Sequence, residues 1–385
     1  MKKTISVFVS ALLFLNLFTF GVNAKDSGTM PVKVTAKAAI LMDQTTGKVL
    51  MSMNQDERLY PASVTKIMTM LLVAEAIDDG KISMDDTVTA SANAVKKGGS
   101  QIWLKEGETM SVKELYKAMA VYSANDACTA LAETVSGSEE SFINLMNERA
   151  SQLGMRNTHF ENCTGLDDTS ENHLTTAYDI ALMARELMTH KFVTDFTTIW
   201  MDSLRNGATE LVNTNKLVRF YQGCNGLKTG TTSKAGCCLC ATATRDGTSL
   251  IAVVLGCSNS TDRFEGAKTM LNYGFANWST VTPQPDMSLI TDVNVIMGEE
   301  KSITPKVPES TALLIPKGKE KDIVQDIELA ASVEAPVEIN QVLGTVRMSI
   351  DGEEIGSYPL TSPRYIERIT VKSVIISLLK SLCGK

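Results

Sequence analysis

The order of strand-like and helix-like segments is the feature that most restricts how this chain of 385 residues can fold. Apolar runs on either side of a central turn predict a β-hairpin over 34–53. Helix-like segments follow, strand-like segments return near Lys228, and a last helix is predicted over 263–275. Because strands stand at both ends of this segment, its sheet is expected to draw strands from both ends. The pattern therefore predicts an α+β domain over 25–279.

The rest of the chain changes character after a proline-containing stretch. Residues 280–288 are predicted to be a linker, and short alternating segments predict a small all-β domain over 289–361. Residues 362–385 place apolar and polar side chains on opposite sides of a helix, with Lys372 and Lys380 on the polar side. A basic amphipathic helix suits the surface of an anionic membrane. A helix packed on the β domain is the alternative.

The first residues show the three zones of an export signal. Lys2 and Lys3 precede an apolar run over 5–20, and small residues lead to a cleavage site after Ala24. We therefore expect a signal peptide over 1–24 and a protein that acts at the outer face of the cytoplasmic membrane, in the cell wall compartment. An uncleaved anchor is the alternative. The net charge of −7 gives no reason to expect a nucleic-acid partner.

Cysteine usage argues against a disulfide framework, although exported proteins often have one. Seven of the eight cysteines lie in the first predicted domain, and an odd number leaves at least one thiol unpaired. On a strand, Cys238 and Cys240 share one face and Cys237 lies on the other. A zinc site is the alternative, but none of the three histidines is near. Buried apolar thiols are therefore predicted.

Ser63 and Lys66 form the first of three short motifs that carry chemistry. Residues three apart on a helix share a face, so the Lys66 amine can lie beside the Ser63 hydroxyl. A helix start also directs free backbone N–H groups toward a developing negative charge. A serine becomes a nucleophile when a base takes its proton, and a lysine can be that base when burial or a nearby positive charge lowers its pKa. Lys228 is predicted to supply such a charge.

Ser123 and Asn125 form the second motif. Ser-x-Asn is common, and 91–93 is a second copy that leads into a solvated stretch. Ser123 lies between two predicted helices, where a loop can project inward. Its hydroxyl is predicted to relay a proton between Lys66 and the leaving group, and Asn125 to hold a substrate amide. Taken alone, Ser123 would more often have a role in a turn or helix cap.

Lys228, Thr229 and Gly230 form the third motif, on a predicted strand. Alternation places Lys228 and Gly230 on one face. The glycine lets a substrate backbone approach closely, and the lysine with neighbouring threonine hydroxyls, including that of Thr231, makes a carboxylate site. An ordinary lysine of an edge strand is the alternative. Together, the three motifs in this order within one exported domain indicate serine acyl-transfer chemistry.

The stretches 60–69, 123–127 and 225–230 resemble the low-molecular-weight penicillin-binding proteins, and more narrowly the D-alanyl-D-alanine carboxypeptidases. The resemblance covers nearly the whole chain. It implies a β-lactamase/DD-peptidase-like catalytic domain, in which helices flank an antiparallel sheet. A small β-sandwich domain and an amphipathic, membrane-anchoring helix would follow. No metal and no cofactor is implied.

The resemblance also implies roles for single residues. Arg263 resembles an arginine that holds the terminal carboxylate of the substrate, and the backbone N–H groups of Ser63 and Thr231 would form the oxyanion hole. Many relatives have a histidine just before Gly-Leu-Asp, where this chain has Thr164, which leaves the role of that histidine open here. The predicted catalytic residues are Ser63, Lys66 and Ser123, and the predicted substrate-binding residues are Asn125, Lys228, Thr229, Thr231 and Arg263.

These features predict a serine carboxypeptidase that removes the terminal D-alanine from peptidoglycan stem pentapeptides through an acyl-enzyme. β-Lactams would trap this enzyme at Ser63. A β-lactamase is the nearest alternative, but class A enzymes use a separate glutamate for deacylation, and 154–179 has no convincing motif for one. A protein that binds the cell wall or senses β-lactams, and that acylates without turnover, is the alternative from a different class.

Overall fold

The computed structural model describes residues 30–167, 170–307, 312–371 and 373–375. The predicted signal peptide, 1–24, lies outside the described residues.

Residues 38–277 form the first part of the fold. A 3-10 turn, Ala62–Thr65, precedes the first helix, and a π-helix, Ala118–Tyr122, follows the third. In chain order the elements are β1 (Ala38–Asp43), β2 (Val49–Met53), α1 (Lys66–Asp78), β3 (Thr87–Thr89), α2 (Ala92–Val95), β4 (Thr109–Ser111), α3 (Val112–Lys117), α4 (Asn125–Ser136), α5 (Glu139–Gln152), α6 (Ala177–Leu187), α7 (Val193–Thr197), β5 (Met201–Leu204), β6 (Thr209–Val212), α8 (Leu217–Phe220), β7 (Cys224–Thr232), β8 (Gly236–Arg245), β9 (Thr248–Cys257) and α9 (Ser260–Asn277).

The main sheet is built from both ends of this part, as the order of segments predicts. Its strand order is β2-β1-β9-β8-β7, and each neighbouring pair is antiparallel. The first and last strands in sequence meet at its centre, where Ala38 lies opposite Leu255. Strand β7, which carries Lys228, forms one edge of the sheet. An edge strand has free N–H and C=O groups with which an extended peptide can pair.

Helices cover both faces of the main sheet, which is why all six residues of β1 are buried. Ile40 and Met42 pack into the larger core, with α1, α4, α5 and α6. Ala39 and Leu41 face the opposite core, with α9. Helix α1 is buried along nearly its whole length, as expected of a helix that is apolar on all sides. A buried helix gives the residues at its N-terminus a firm position.

The cysteines follow the predicted alternation. Cys238 and Cys240 lie in the larger core, whereas Cys237 packs against the core on the opposite face, so this prediction is confirmed. Cys237 lies opposite Cys257 of β9. The cysteines of the described ranges are free thiols, and no group of three or more potential metal-binding side chains occurs in those ranges. Cys383 lies outside them.

The second part of the chain is all-β. Its two cores are apolar clusters centred on Val346 and Met348 and on Val337 and Leu343. In chain order its strands are β10 (Trp278–Val281), β11 (Val293–Ile296), β12 (Ser302–Ile303), β13 (Leu313–Pro316), β14 (Val324–Leu329), β15 (Ser332–Glu334), β16 (Val342–Ile350) and β17 (Glu353–Thr361). The strands pair as β10 with β13, in the order β12-β11-β15, and in the order β14-β16-β17.

Two predicted boundaries differ from the structure. Strand β10 begins at Trp278 and runs into the predicted linker, 280–288, because it pairs with β13. The all-β part continues past residue 361, since Ile366 exchanges backbone hydrogen bonds with Val337 and is 2% exposed. The helix predicted over 362–385 therefore cannot begin at 362. Val371 and residues 373–375 are helical, and 372 and 376–385 lie outside the described residues.

Candidate active site

Ser63 and Lys66 lie where the 3-10 turn runs into α1. The Lys66 Nζ atom donates to the Ser63 hydroxyl oxygen at 3.0 Å and to the backbone oxygen of Thr164 at 2.7 Å. Lys66 is fully buried, and Ser63 is partly exposed. The predicted i,i+3 contact is therefore present, and one side of the hydroxyl remains open to a ligand.

Burial lowers the pKa of the Lys66 amine below its ordinary value, and the neighbouring thiols of Cys128 and Cys163 oppose this effect. The sequence predicts that the positive charge of Lys228 lowers this pKa. The structure instead makes burial the principal cause. Positive charges instead act on Lys228. Its pKa lies well below its ordinary value, first because of burial and then because of the positive charges of Lys66 and Arg263.

The segment 161–167 holds Lys66 from the opposite side of the site. Thr69, one helical turn after Lys66, donates to the backbone oxygen of Cys163 at 2.7 Å, and the Cys128 thiol donates to the same oxygen at 3.2 Å. These bonds place the next carbonyl, that of Thr164, against the Lys66 amine. Because Lys66 uses the backbone of Thr164, this contact does not depend on the side chain that replaces the histidine of many relatives.

Gly165 allows this segment to approach the 3-10 turn. Its φ is +85°, and a Cβ atom added to it would lie 1.9 Å from the backbone oxygen of Ala62. Gly137 has a nearly equal φ of +83°, but a Cβ atom added there would meet nothing within 4 Å. The two glycines thus share the same backbone requirement and differ in steric contact.

We expect Gly165→Ala to destabilise the protein by about 2–4 kcal/mol, because backbone strain and overpacking add, whereas Gly137→Ala should cost about 1 kcal/mol. Gly165→Ala should also slow acylation by a β-lactam, since it displaces the carbonyl that holds Lys66. Urea unfolding and stopped-flow acylation measure the two effects. Equal losses for both variants would contradict the close approach of Gly165 to Ala62.

His173 supports the same region, and its role was not predicted from the sequence. Its Nδ1 atom accepts the backbone N–H of Glu161 at 2.9 Å, so the proton of the neutral ring is on Nε2, which donates to the Thr65 hydroxyl at 2.8 Å. Burial lowers the pKa of His173 to about 4, which keeps the ring neutral near pH 7. Neither the spacing nor the composition of the chain signals this contact.

Ser123 and Asn125 stand at the turn between the π-helix and α4. Ser123 has a φ of +68°, unusual for a residue with a side chain, and is 5% exposed. The Asn125 side-chain nitrogen donates to the backbone oxygen of Gly98 at 2.6 Å. Its buried carboxamide oxygen has no partner among the described residues. That oxygen is suited to accept a hydrogen bond from the N–H group of a bound peptide.

Strand β7 presents the third motif. Lys228 is 1% exposed and therefore does not point to solvent. Gly230 packs closely on the 3-10 turn, since a Cβ atom on it would lie 3.0 Å from the Ser63 nitrogen. This contact brings the nucleophile and the strand together. The Thr229 hydroxyl donates to that of Thr214 at 2.7 Å, while Thr231 is exposed.

Arg263, in the first turn of α9, reaches the end of the same strand. Its Nη1 atom donates to the backbone oxygen of Gly230 at 3.0 Å and to the Thr231 hydroxyl at 2.8 Å. Its Nε atom is buried without a partner among the described residues. Burial lowers the pKa of Arg263, yet a guanidinium stays charged near pH 7. The group can therefore offer a positive charge to a carboxylate.

The contacts bring four of the predicted site residues together, since Lys66 bonds Ser63, Gly230 of the strand packs on Ser63, and Arg263 bonds Thr231. Ser123 and Asn125 bond to none of these four residues in the part of the chain that the structure describes. The supporting partners were not predicted from the sequence; they are Thr69, Thr164, His173 and Thr214. A hydroxyl beside an amine whose pKa is lowered, with a guanidinium at the end of the neighbouring strand, suits nucleophilic attack on an amide carbonyl. The arrangement is therefore suited to attack by the Ser63 hydroxyl on a peptide that ends in a carboxylate.

Comparisons with known proteins agree with this chemistry. Residues 24–259 match a family model described as D-alanyl-D-alanine carboxypeptidase, and 278–368 match one described as penicillin-binding protein 5, C-terminal domain. The chain is 40% identical over 390 residues to D-alanyl-D-alanine carboxypeptidase DacF of Bacillus subtilis, an alignment that covers 100% of this chain and 98% of that protein.

Solved structures of penicillin-binding proteins are also similar to this fold. Penicillin-binding protein 5 from Haemophilus influenzae superposes with a TM-score of 0.79 at 32% identity, covering 89% of this chain and 100% of that one. Penicillin-binding protein D2 from Listeria monocytogenes, solved in the ampicillin-bound form, matches with a TM-score of 0.59 at 32% identity. This match covers 64% of this chain and 100% of that one.

Proposed function

Since the chain belongs to the D-alanyl-D-alanine carboxypeptidase family, we propose that Ser63 is its catalytic nucleophile. The protein is a serine-type D-Ala-D-Ala carboxypeptidase that acts on peptidoglycan stem peptides and binds β-lactams. The single observation that carries the assignment of Ser63 is its contact with a buried amine, Lys66 Nζ, at 3.0 Å.

The reaction proceeds in two stages through an ester on Ser63. Lys66 accepts the hydroxyl proton while the oxygen attacks the carbonyl carbon of the penultimate D-alanine. The backbone N–H groups of Ser63 and Thr231 stabilise the resulting oxyanion, each contributing about 3 kcal/mol. The C–N bond then breaks, and the amine of the departing D-alanine takes a proton from Lys66 through the Ser123 hydroxyl. In the second stage, water attacks the ester carbonyl and gives a proton to Lys66. The C–O bond to Ser63 then breaks, Lys66 returns the proton to the Ser63 oxygen, and the shortened peptide leaves with a new carboxylate.

The remaining predicted residues bind the substrate on either side of Ser63. The unpartnered oxygen of Asn125 supports a hydrogen bond to a backbone N–H of the stem peptide. Lys228, Thr229 and Thr231 lie along the strand that faces the terminal D-alanine. Arg263 supplies the positive charge that its free carboxylate requires.

A product assay separates this function from its rivals. We expect purified protein to release one D-alanine per diacetylated Lys-D-Ala-D-Ala with repeated turnover, and to hydrolyse penicillin slowly. Rapid penicillin turnover with little D-alanine release would instead favour a β-lactamase. Stable acylation without release of D-alanine would favour a β-lactam sensor. In the structure, the Glu161 carboxylate is engaged with the backbone N–H of Asn172, which does not favour a role in activating water.

Arg263→Met is expected to raise KM for a peptide with a free terminal carboxylate by about 10- to 100-fold, since a bond between charged groups is lost, and to change kcat less. On the same peptide with a terminal amide, the KM values of the variant and the wild type should differ by about twofold or less. Arg219→Met, which replaces an exposed arginine of α8, is the control. An equal rise in KM on both peptides would contradict the role of Arg263.

We also propose that the catalytic domain, 25–279, and the small β domain that follows are exported and that the chain's end attaches to the membrane surface. The exposed apolar side chains of Val371, Val374 and Ile375 support this attachment. Among the described residues, no helix is both long and apolar enough to cross a membrane. Flotation with vesicles that contain anionic lipid tests the proposal, and equal flotation after removal of residues 371–385 would oppose it.

A further inference from the structure

An exposed tryptophan lies in the loop that bonds to Asn125 and Asp126, and it takes no part in the chemistry above. Trp103 is 74% exposed, whereas its neighbours Ile102 and Leu104 are buried. Its φ is +58°, a strained value for a residue with a side chain. Strain of this kind persists where the surroundings enforce it, and it is found mainly at functional sites. An indole in water with buried neighbours on both sides therefore calls for an explanation.

The Asp126 carboxylate enforces this conformation. It accepts the backbone N–H of Ile102 at 3.2 Å and that of Leu104 at 3.0 Å, one on each side of Trp103. Asp126 is fully buried and directly follows Asn125. The Asn125 backbone N–H in turn donates to the Ser100 oxygen at 2.7 Å. The loop that carries Trp103 is thus fastened to Asn125 and Asp126 by these three bonds and by the bond from the Asn125 side chain to the Gly98 oxygen.

Trp103 borders an open pocket of about 770 Å³. Its other walls carry charged and polar groups, among them Lys105, Glu108, Arg205 and Thr209. The Arg205 guanidinium is held by Glu108 at 2.7 Å and by the Thr209 hydroxyl at 2.9 Å. The pocket therefore combines one flat aromatic face with several hydrogen-bonding groups.

We propose that Trp103 and this pocket bind a sugar ring of the glycan strand to which the stem peptide is attached. The inference rests on the proposed function, because it takes the direction of the bound peptide from the roles of Arg263 and Asn125. The terminal carboxylate lies at Arg263, and the acyl part of the peptide passes Asn125. Three residues separate the penultimate D-alanine from the sugar and span about 10 Å when extended. The loop fastened to Asn125 lies on that side.

The chemistry of the pocket favours a sugar over an apolar segment. A pyranose ring has C–H groups on its faces and hydroxyl or acetamido groups at its rim. The C–H groups match the negative face of an indole, and the rim groups match the charged and hydroxyl groups that line the pocket. A purely apolar occupant would leave the Lys105 amine, and the buried Arg205 Nη2 atom that has no partner among the described residues, without compensation for lost hydration.

Two substrates test the proposal, a free pentapeptide and the same pentapeptide on an N-acetylglucosamine–N-acetylmuramic acid disaccharide. We expect Trp103→Ala to lower kcat/KM on the disaccharide substrate by about 10-fold, the size of one aromatic stacking contact. On the free pentapeptide, the change should stay within about twofold. Trp103→Phe should keep part of the preference, and Tyr365→Ala, which removes an exposed aromatic ring of the β part, should keep all of it.

An equal fall in kcat/KM of Trp103→Ala on both substrates would overturn the proposal, because Trp103 would then support the fold or contact the peptide. No fall in kcat/KM on either substrate would also overturn it, because Trp103 would then contribute nothing to substrate binding. Penicillin acylation of each variant reports whether the catalytic site is intact. The wild-type rate on the free pentapeptide tests the proposed function separately. Should Trp103→Ala fail to fold, unchanged preference in Trp103→Phe together with no quenching of wild-type fluorescence by the peptide-free disaccharide would also overturn it.

Discussion

Replacing Ser63 with alanine is expected to abolish acylation and to lower the rate of D-alanine release by about 10⁴-fold or more, because no other group can form the ester. The free energy of unfolding should change by about 1 kcal/mol or less, since Ser63 is partly exposed and the Lys66 amine keeps its bond to the Thr164 oxygen. Measurement of D-alanine from the pentapeptide, with urea unfolding of both proteins, checks the two statements.

Ser91→Ala is the matched control for Ser63→Ala. Ser91 belongs to the second Ser-x-Asn copy, and its hydroxyl donates to Glu133 near the far end of α4. Asn125 begins that helix, so about 12 Å of helix separates Glu133 from the site. Ser91→Ala should therefore keep full activity and lose some stability through a missing helix cap. Loss of activity in Ser91→Ala but not in Ser63→Ala would reverse the assignment of the motifs.

Lys66→Met is expected to slow acylation by about 10²- to 10⁴-fold, the usual contribution of a general base. Methionine keeps the apolar stem, so the core should remain packed. Lys81→Met, just beyond the other end of α1, replaces a lysine whose side chain is 68% exposed and should leave the acylation rate unchanged. Stopped-flow measurement with a chromogenic β-lactam compares the three proteins.

The sign of the pH dependence follows from the lowered pKa of Lys66. Only the neutral amine accepts a proton, so acylation should slow as pH falls through that pKa and should be fastest above it. A free lysine would place this limb near pH 10.4, and burial moves it toward neutral pH. The limb should disappear in Lys66→Met. An acidic limb that persists unchanged in the variant would show that another group is the base.

The arrangement of the elements was predictable because it rests on local patterns. Apolar residues on either side of a turn predict the hairpin of β1 and β2, and the strand-like segments near Lys228 predict the strands that complete the same sheet. The motifs also follow local spacing, which is why the Ser63–Lys66 contact could be expected from residues three apart. The face of each cysteine at 237, 238 and 240 followed from the same alternation.

The supporting contacts were not predictable because they join residues far apart in sequence. Thr164 lies 98 residues from Lys66, and His173 lies 108 residues from Thr65. Backbone carbonyls leave no mark on the sequence, so the partner of Lys66 could not be read from it. The extent of burial was also hidden, and burial proved to be the main cause of the lowered pKa of Lys66. Near the end of the described chain, Ile366 fits the apolar pattern of a helix but pairs with Val337 in the all-β part.

The most direct test is to find the residue to which penicillin attaches. Protein mixed with benzylpenicillin, digested and analysed by tandem mass spectrometry should carry one penicilloyl group, on Ser63, and Ser63→Ala should carry none. A penicilloyl group on Ser123 or on any residue other than Ser63 would contradict the assignment of the nucleophile, as would an adduct that survives in Ser63→Ala.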